Sequence, residues 1–124
     1  MTFAQFIESD FRNLWIRQRY LTAYVRKSKR YINQHLVECF DIGDVGVDER
    51  HRRKGVFRRF LKEVEDAAAA RGRVVFVESV MNPVLEEYLV KMGYTYDPRY
   101  YHPAPSLWKT PKNSGKPAKC LVCP

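Results

Sequence analysis

Apolar residues recur along the chain at two periods, and the switches between them predict its elements. Phe3, Phe6, Ile7, Phe11, Leu14 and Trp15 fall at helical spacing, and Thr2 with Gln5 fits a capping box. Residues 2–17 are therefore predicted as one amphipathic helix. The segment "RYLTAYVRKSKRYINQH" is rich in aromatic and β-branched residues and predicts one or two strands around a polar turn at Lys27 to Arg30. "LVECFDIGDVGVD" predicts a longer strand. Uninterrupted alternation there sets Val37, Cys39, Asp41, Gly43, Val45 and Val47 on one face, and Glu38, Phe40, Ile42 and Asp44 on the other.

A helix is predicted next from Val56 to Arg71, with Phe57, Phe60, Leu61, Val64, Ala67 and Ala68 inward and Gly72 as its stop. "RVVFVESV" is a short unbroken apolar run, as expected of a strand buried on both faces. "NPVLEEYLVKMG" predicts a third helix, with Asn82 as cap, Pro83 in the first helical position and Gly93 at the end. "YTYDPRYYHPAPSLWKTP" predicts two short strands joined by a proline-containing loop. This order implies a mixed α/β (α+β) domain, with helices flanking a mostly antiparallel sheet. The expected layout is a single domain over residues 1–111 and a polar, basic, mobile tail over residues 112–124.

Composition narrows the class. The 124 residues are 45% hydrophobic and 14% aromatic, which fits a globular chain rather than a disordered one. A formal charge of +8 calls for acidic partners: a phosphorylated cofactor, nucleic acid or an acidic protein surface. No apolar run approaches the roughly 20 residues a membrane helix needs. The N-terminal residues include acidic groups and lack the apolar core of a signal peptide. Three cysteines do not make a disulfide framework, so a reducing, cytoplasmic compartment is expected. Cys120 and Cys123 form a C-x-x-C without the further ligands a structural zinc needs, and His35, His51 and His102 lack ligand spacing. No metal is expected.

The densest chemistry lies in "DVGVDERHRRKGVFRRFL", residues 44–61, where Arg50, Arg52, Arg53 and Lys54 stand directly before Gly55 and a helix start. The first turn of a helix offers unpaired N–H groups and the positive end of its dipole. Glycine lets the backbone come close to an anion, and arginine suits bidentate phosphate contacts. A solvated turn is the plain alternative for such a charge cluster.

The sequence around this loop resembles the GCN5-related N-acetyltransferases. That family's acyl-CoA motif is Arg or Gln, two residues, Gly, one residue, then Gly or Ala; here it reads Arg52-Arg53-Lys54-Gly55-Val56-Phe57 after the strand "FDIGDVGVD". "VFVESVMN" and "PVLEEYLVKMGY" are similar to the family's next strand, its cofactor-facing asparagine and the helix that follows. The resemblance spans roughly residues 20–108 in order. It implies the family's splayed central strands and acetyl-CoA as cosubstrate. It also implies pantetheine contacts from Val45, Gly46 and Val47, and from Asn82. Pyrophosphate contacts are implied for Arg52, Arg53, Lys54, Gly55, Val56, Phe57 and Arg58. Phe57 departs from the motif's small residue, so its bulk is expected to point into the core.

Acetyl transfer needs a neutral amine and therefore a base. Histone-acetylating members carry a glutamate at the position matching Asp41, so Asp41 is the expected base, with Glu78 second. Many members place an acidic tyrosine four residues before the closing glycine. That position is Leu89 here, and Tyr88 lies about 100° around the helix from it. Tyr88, Tyr94, Tyr96 or solvent is expected to protonate the thiolate instead. The expected acceptor is a protein lysine or N-terminal amine, and the expected state a monomer or homodimer. The readings that compete are a catalytically weak protein of this fold that binds a partner protein, and a nucleic-acid binder.

Overall fold

The computed structural model describes residues 1–99 and 104–111. Its strands are β1 (Asn13–Gln18), β2 (Leu21–Ile32), β3 (His35–Val47), β4 (Val74–Val77), β5 (Thr95–Tyr96) and β6 (Leu107–Lys109). Its helices are α1 (Phe3–Glu8), α2 (Val56–Arg71) and α3 (Pro83–Lys91), with a 3-10 turn at Glu49–His51. The strands form one sheet in the order β1-β2-β3-β4-β6-β5. Among the described residues only the β3–β4 pair is parallel. This is the mixed, mostly antiparallel architecture expected from the sequence. The tail from 112 onward, with Cys120 and Cys123, lies outside the described residues, as do Tyr100, Tyr101 and His102. No helix among the described residues is long and apolar enough to cross a membrane.

Three local expectations fail, each for a tertiary reason. The helix predicted over residues 2–17 stops at Glu8, and Asn13–Gln18 is a strand. Phe3 and Phe6 are buried, but Phe11 and Trp15 of the supposed stripe stay exposed. Pairing with β2 buries Ile16 and turns Trp15 outward, so sheet formation overrides the local period. The polar turn at Lys27 to Arg30 does not exist either. β2 runs straight through it and reverses at Asn33 and Gln34, whose φ values of 50° and 69° make a two-residue hairpin turn. The charges survive inside the strand because each finds a partner. Lys27 Nζ donates to Ser9 O at 2.6 Å, and Arg26 and Arg30 pair with Asp41 and Glu78.

The third correction concerns β3 itself. Val25 pairs with Ile42 and Ala23 with Val45, so Gly43 and Asp44 together oppose Tyr24. This β-bulge inverts the alternation. Val45 and Val47 pack with Phe40 and Ile42 in the main core, not on the face of Asp41. α1, α2 and α3 all contribute to that core, so the described helices lie on one side of the sheet. The opposite face holds a smaller cluster of Ile32, Val37, Cys39, Val74 and Phe76. Arg30 lies 3.9 Å over the Phe76 ring there. Burial, followed by the charge of Asp41, pushes the Cys39 thiol up to about 12.

Candidate functional site

β3 and β4 run together only where Cys39–Ile42 meets Val74–Val77, and Glu78 N–H adds a bond to Ile42 O at 2.9 Å. Ser79 then adopts a φ of 50° and turns the chain toward β6. Its N–H donates to Ser106 Oγ at 3.0 Å, and Val80 N–H donates to Pro105 O at 2.7 Å. β3 meanwhile continues along β2 to Val47. The two central strands therefore part at Ile42 and Glu78.

The pairing pattern decides which backbone groups face the gap. Lys27 N–H donates to Arg12 O, so odd residues of β2 bond to β1 and even ones to β3. Thr22 thus bonds to Gly46, while Val45 and Val47 turn their N–H and C=O groups to the open side. Arg52 Nε donates to Val47 O at 3.2 Å and ties the following loop to this edge.

α2 closes one end of the gap. Its N-cap, Gly55, has φ 77°, and no side chain caps the helix. The first intrahelical bond runs from Arg59 N–H to Gly55 O at 3.0 Å. The N–H groups of Val56, Phe57 and Arg58 are thus left without an intrahelical acceptor. Arg53 is also left-handed, at φ 65°, a conformation that costs about 1 kcal/mol outside glycine. Arg52, Arg53, Lys54 and Arg58 are exposed around this turn. Phe57 is half-buried and packs against the main core, so its ring is kept off the exposed turn.

α3 forms the far wall. Asn82 Oδ1 accepts from Val84 N–H at 2.9 Å and caps the helix. Its Nδ2 has no partner among the described residues and remains a donor. Tyr88 packs against the core, and the Arg58 guanidinium reaches to 5.8 Å from its ring, joining the first turn of α2 to α3. Leu89 is fully buried.

The two candidate carboxylates differ sharply. Asp41 is 1% exposed. Its Oδ1 accepts from Ser28 Oγ at 2.7 Å and Arg30 Nε at 3.2 Å, and its Oδ2 from Arg30 at 2.8 Å. Arg26 Nε stands a further 3.3 Å from Oδ2. Glu78, whose side chain is 31% exposed, sits where the strands part, and its Oε1 accepts from both Arg26 and Arg30. Burial alone would lower the Arg30 pKa, but its bonds and charges with Asp41 and Glu78 raise it. The other tyrosines are engaged: Tyr94 OH donates to Glu65 and Tyr96 OH to Glu86, each at 2.6 Å. Burial first, then the Glu65 bond, pushes the Tyr94 pKa up.

The structure thus gathers Val45, Val47, Arg52 through Arg58, Asn82 and Tyr88 around one opening, with Glu78 at its apex. Gly46 faces β2 instead, and Asp41 lies in the sheet among its cations. The sequence reading missed Arg26, Ser28 and Arg30 as the setting of both carboxylates. Their two-residue spacing was the available signal, since it places all three on one face of a strand.

No family profile and no curated protein matches the chain by sequence. Among solved structures, the chain superposes on a tyrosine-to-phenylalanine mutant of the toxin AtaT, bound to acetyl-CoA and the C-terminus of the antitoxin AtaR. The TM-score is 0.53 and the identity 15%, over 73% of this chain and 57% of that one. It also superposes on a chain of the KacTA–DNA complex, with TM-score 0.52 and 14% identity over 78% of this chain and 64% of that one. The chain spans less than two thirds of the length of either structure. The fold is that of the GCN5-related N-acetyltransferases.

Proposed function

We propose that the protein is an acetyl-CoA-dependent N-acetyltransferase acting by direct attack of an amine. The observation that carries this reading is the one-sided half of β3, which runs into a basic, uncapped helix start. Val45 and Val47 hold the pantetheine arm as an added strand would, and the Asn82 amide supplies a further donor. The N–H groups of Val56, Phe57 and Arg58, with Arg52, Arg53, Lys54 and Arg58, hold the pyrophosphate. The acetyl-CoA bound to the AtaT mutant supports this assignment of the cosubstrate. When bound, it supplies an activated acetyl thioester.

Glu78 suits the base role better than Asp41. It is partly exposed at the parting of the strands, whereas the oxygens of Asp41 are saturated by Ser28 and two arginines. Glu78 takes the ammonium proton so that the nitrogen can attack, and Tyr88, on the wall next to Arg58, returns a proton to the departing sulfur. Glu78 lies on a sheet face that the described helices leave open, which suits an amine on a protein, a lysine or N-terminus, rather than an enclosed metabolite. Leu89 in the tyrosine position favours a second reading, a catalytically weak protein that engages a partner.

Calorimetry with acetyl-CoA followed by thiol release across a panel of amines and peptides tests both. Binding with amine-dependent thiol release supports the enzyme. Binding without release supports the second reading, and no binding at sub-millimolar acetyl-CoA overturns the enzyme reading.

A further inference from the structure

β1 forms one edge of the sheet and pairs with β2 alone. Its even residues bond to β2, so Asn13, Trp15 and Arg17 turn their backbone groups outward. Arg17 N–H is taken by Met1 O at 3.2 Å. The outward N–H and C=O groups of Asn13 and Trp15 have no partner among the described residues. Two exposed aromatic residues stand beside this row, Phe11 at 54% and Trp15 at 56%. Scattered exposed apolar residues need no explanation, but aromatics flanking an unpaired strand backbone make a template for another strand. Neither a proline nor a bulge blunts β1.

Charge selects the occupant. Arg12, Arg17 and Arg19 are exposed along this edge; of the nearby acidic groups Asp10 is exposed, Glu8 pairs with Arg71, Glu63 accepts from Gln18, and Asp48 lies 3.6 Å from Arg17. A second copy of a chain carrying +8 meets this edge with like charge. We propose that β1 takes an extended acidic segment of a partner protein, which adds as a strand. Its backbone pairs with Asn13 and Trp15, alternate apolar side chains cover Trp15 and Phe11, and its carboxylates meet the arginines. β2 and β3 separate this edge from the acetyl-CoA opening, so the proposal stands apart from the catalytic reading.

The test uses the full chain and two labelled peptides of about eight residues, one alternating glutamate with valine and one alternating lysine with valine. Fluorescence anisotropy is expected to show binding of the glutamate peptide alone. Asn13→Pro removes an outward N–H while keeping the bonds that Arg12 and Leu14 make to β2. It is expected to weaken peptide binding roughly tenfold with unchanged melting temperature and acetyl-CoA affinity, and Trp15→Ala to act likewise. Equal binding of both peptides, no binding, or binding indifferent to Asn13→Pro overturns the proposal. A dimer seen by sedimentation without peptide and abolished by Asn13→Pro also overturns it, by placing a second copy at the edge.

Discussion

The first half of β3, His35–Ile42, has β2 beside it throughout and β4 beside its last four residues; the second half, Gly43–Val47, has β2 alone. The first half buries Cys39 and Asp41 and ties the latter to three side chains of β2. The second half leaves Val45 and Val47 with backbone groups facing a gap. The bulge at Gly43 and Asp44 marks the boundary. Backbone hydrogen-bonding capacity is the same in both halves; spent internally it holds the sheet together, and left open it becomes a binding surface.

Four changes break or sharpen this contrast. The largest effect is expected from Gly55→Glu, which sets a carboxylate against bound phosphates. Acetyl-CoA affinity falls roughly a thousandfold by calorimetry, from about 4 kcal/mol of close repulsion at a partly screened site. The φ of 77° adds strain of its own, so Gly55→Asn, which tolerates that conformation, serves as control and keeps most of the affinity. On the closed half, Asp41→Ala leaves Arg30 and Arg26 without their buried partner and costs about 3 kcal/mol in urea denaturation. Acetyl-CoA affinity of the folded fraction stays at the wild-type level. A substitution that left stability intact and removed only turnover would return the base role to Asp41.

At the boundary, Glu78→Gln is expected to lower kcat about 100-fold in amine-dependent thiol release, with acetyl-CoA affinity unchanged by calorimetry. The smallest effect concerns Cys39. Its folded pKa, about 12, lies above its ordinary value of 9.0. The unfolded chain therefore loses this proton first, and the stability it contributes is full below pH 9 and falls as pH rises toward 12. By pH 10 roughly 1 kcal/mol is lost, and Cys39→Val removes that part of the slope in urea melts.

α2, α3 and the turn at Gly55 were legible in the sequence because local chemistry writes them: Gly55, Gly72, Asn82 and Pro83 act within a turn of their own positions. The first helix was legible in its Thr2–Gln5 capping box, but its extension beyond Glu8 and the turn at Lys27 to Arg30 were misread because their fate depends on strands far along the chain. Trp15 follows a helical period yet pairs with Tyr24 across a sheet. Arg26 and Arg30 look like loop residues until Asp41 and Glu78 are brought to them. The bulge announced itself only as a glycine inside a strand pattern, and that single residue decided which face Val45 and Val47 occupy.

The two-residue reversal at Asn33 and Gln34 also orders events in time. It joins the twelve residues of β2 to the thirteen of β3, so this hairpin closes through local contacts within about 1–10 μs. The parallel partner β4 arrives only after α2 has crossed back, a slower and longer loop closure. The gap between β3 and β4 is consequently among the last features to form, and any ligand of that gap can hold only a chain that has already completed its sheet.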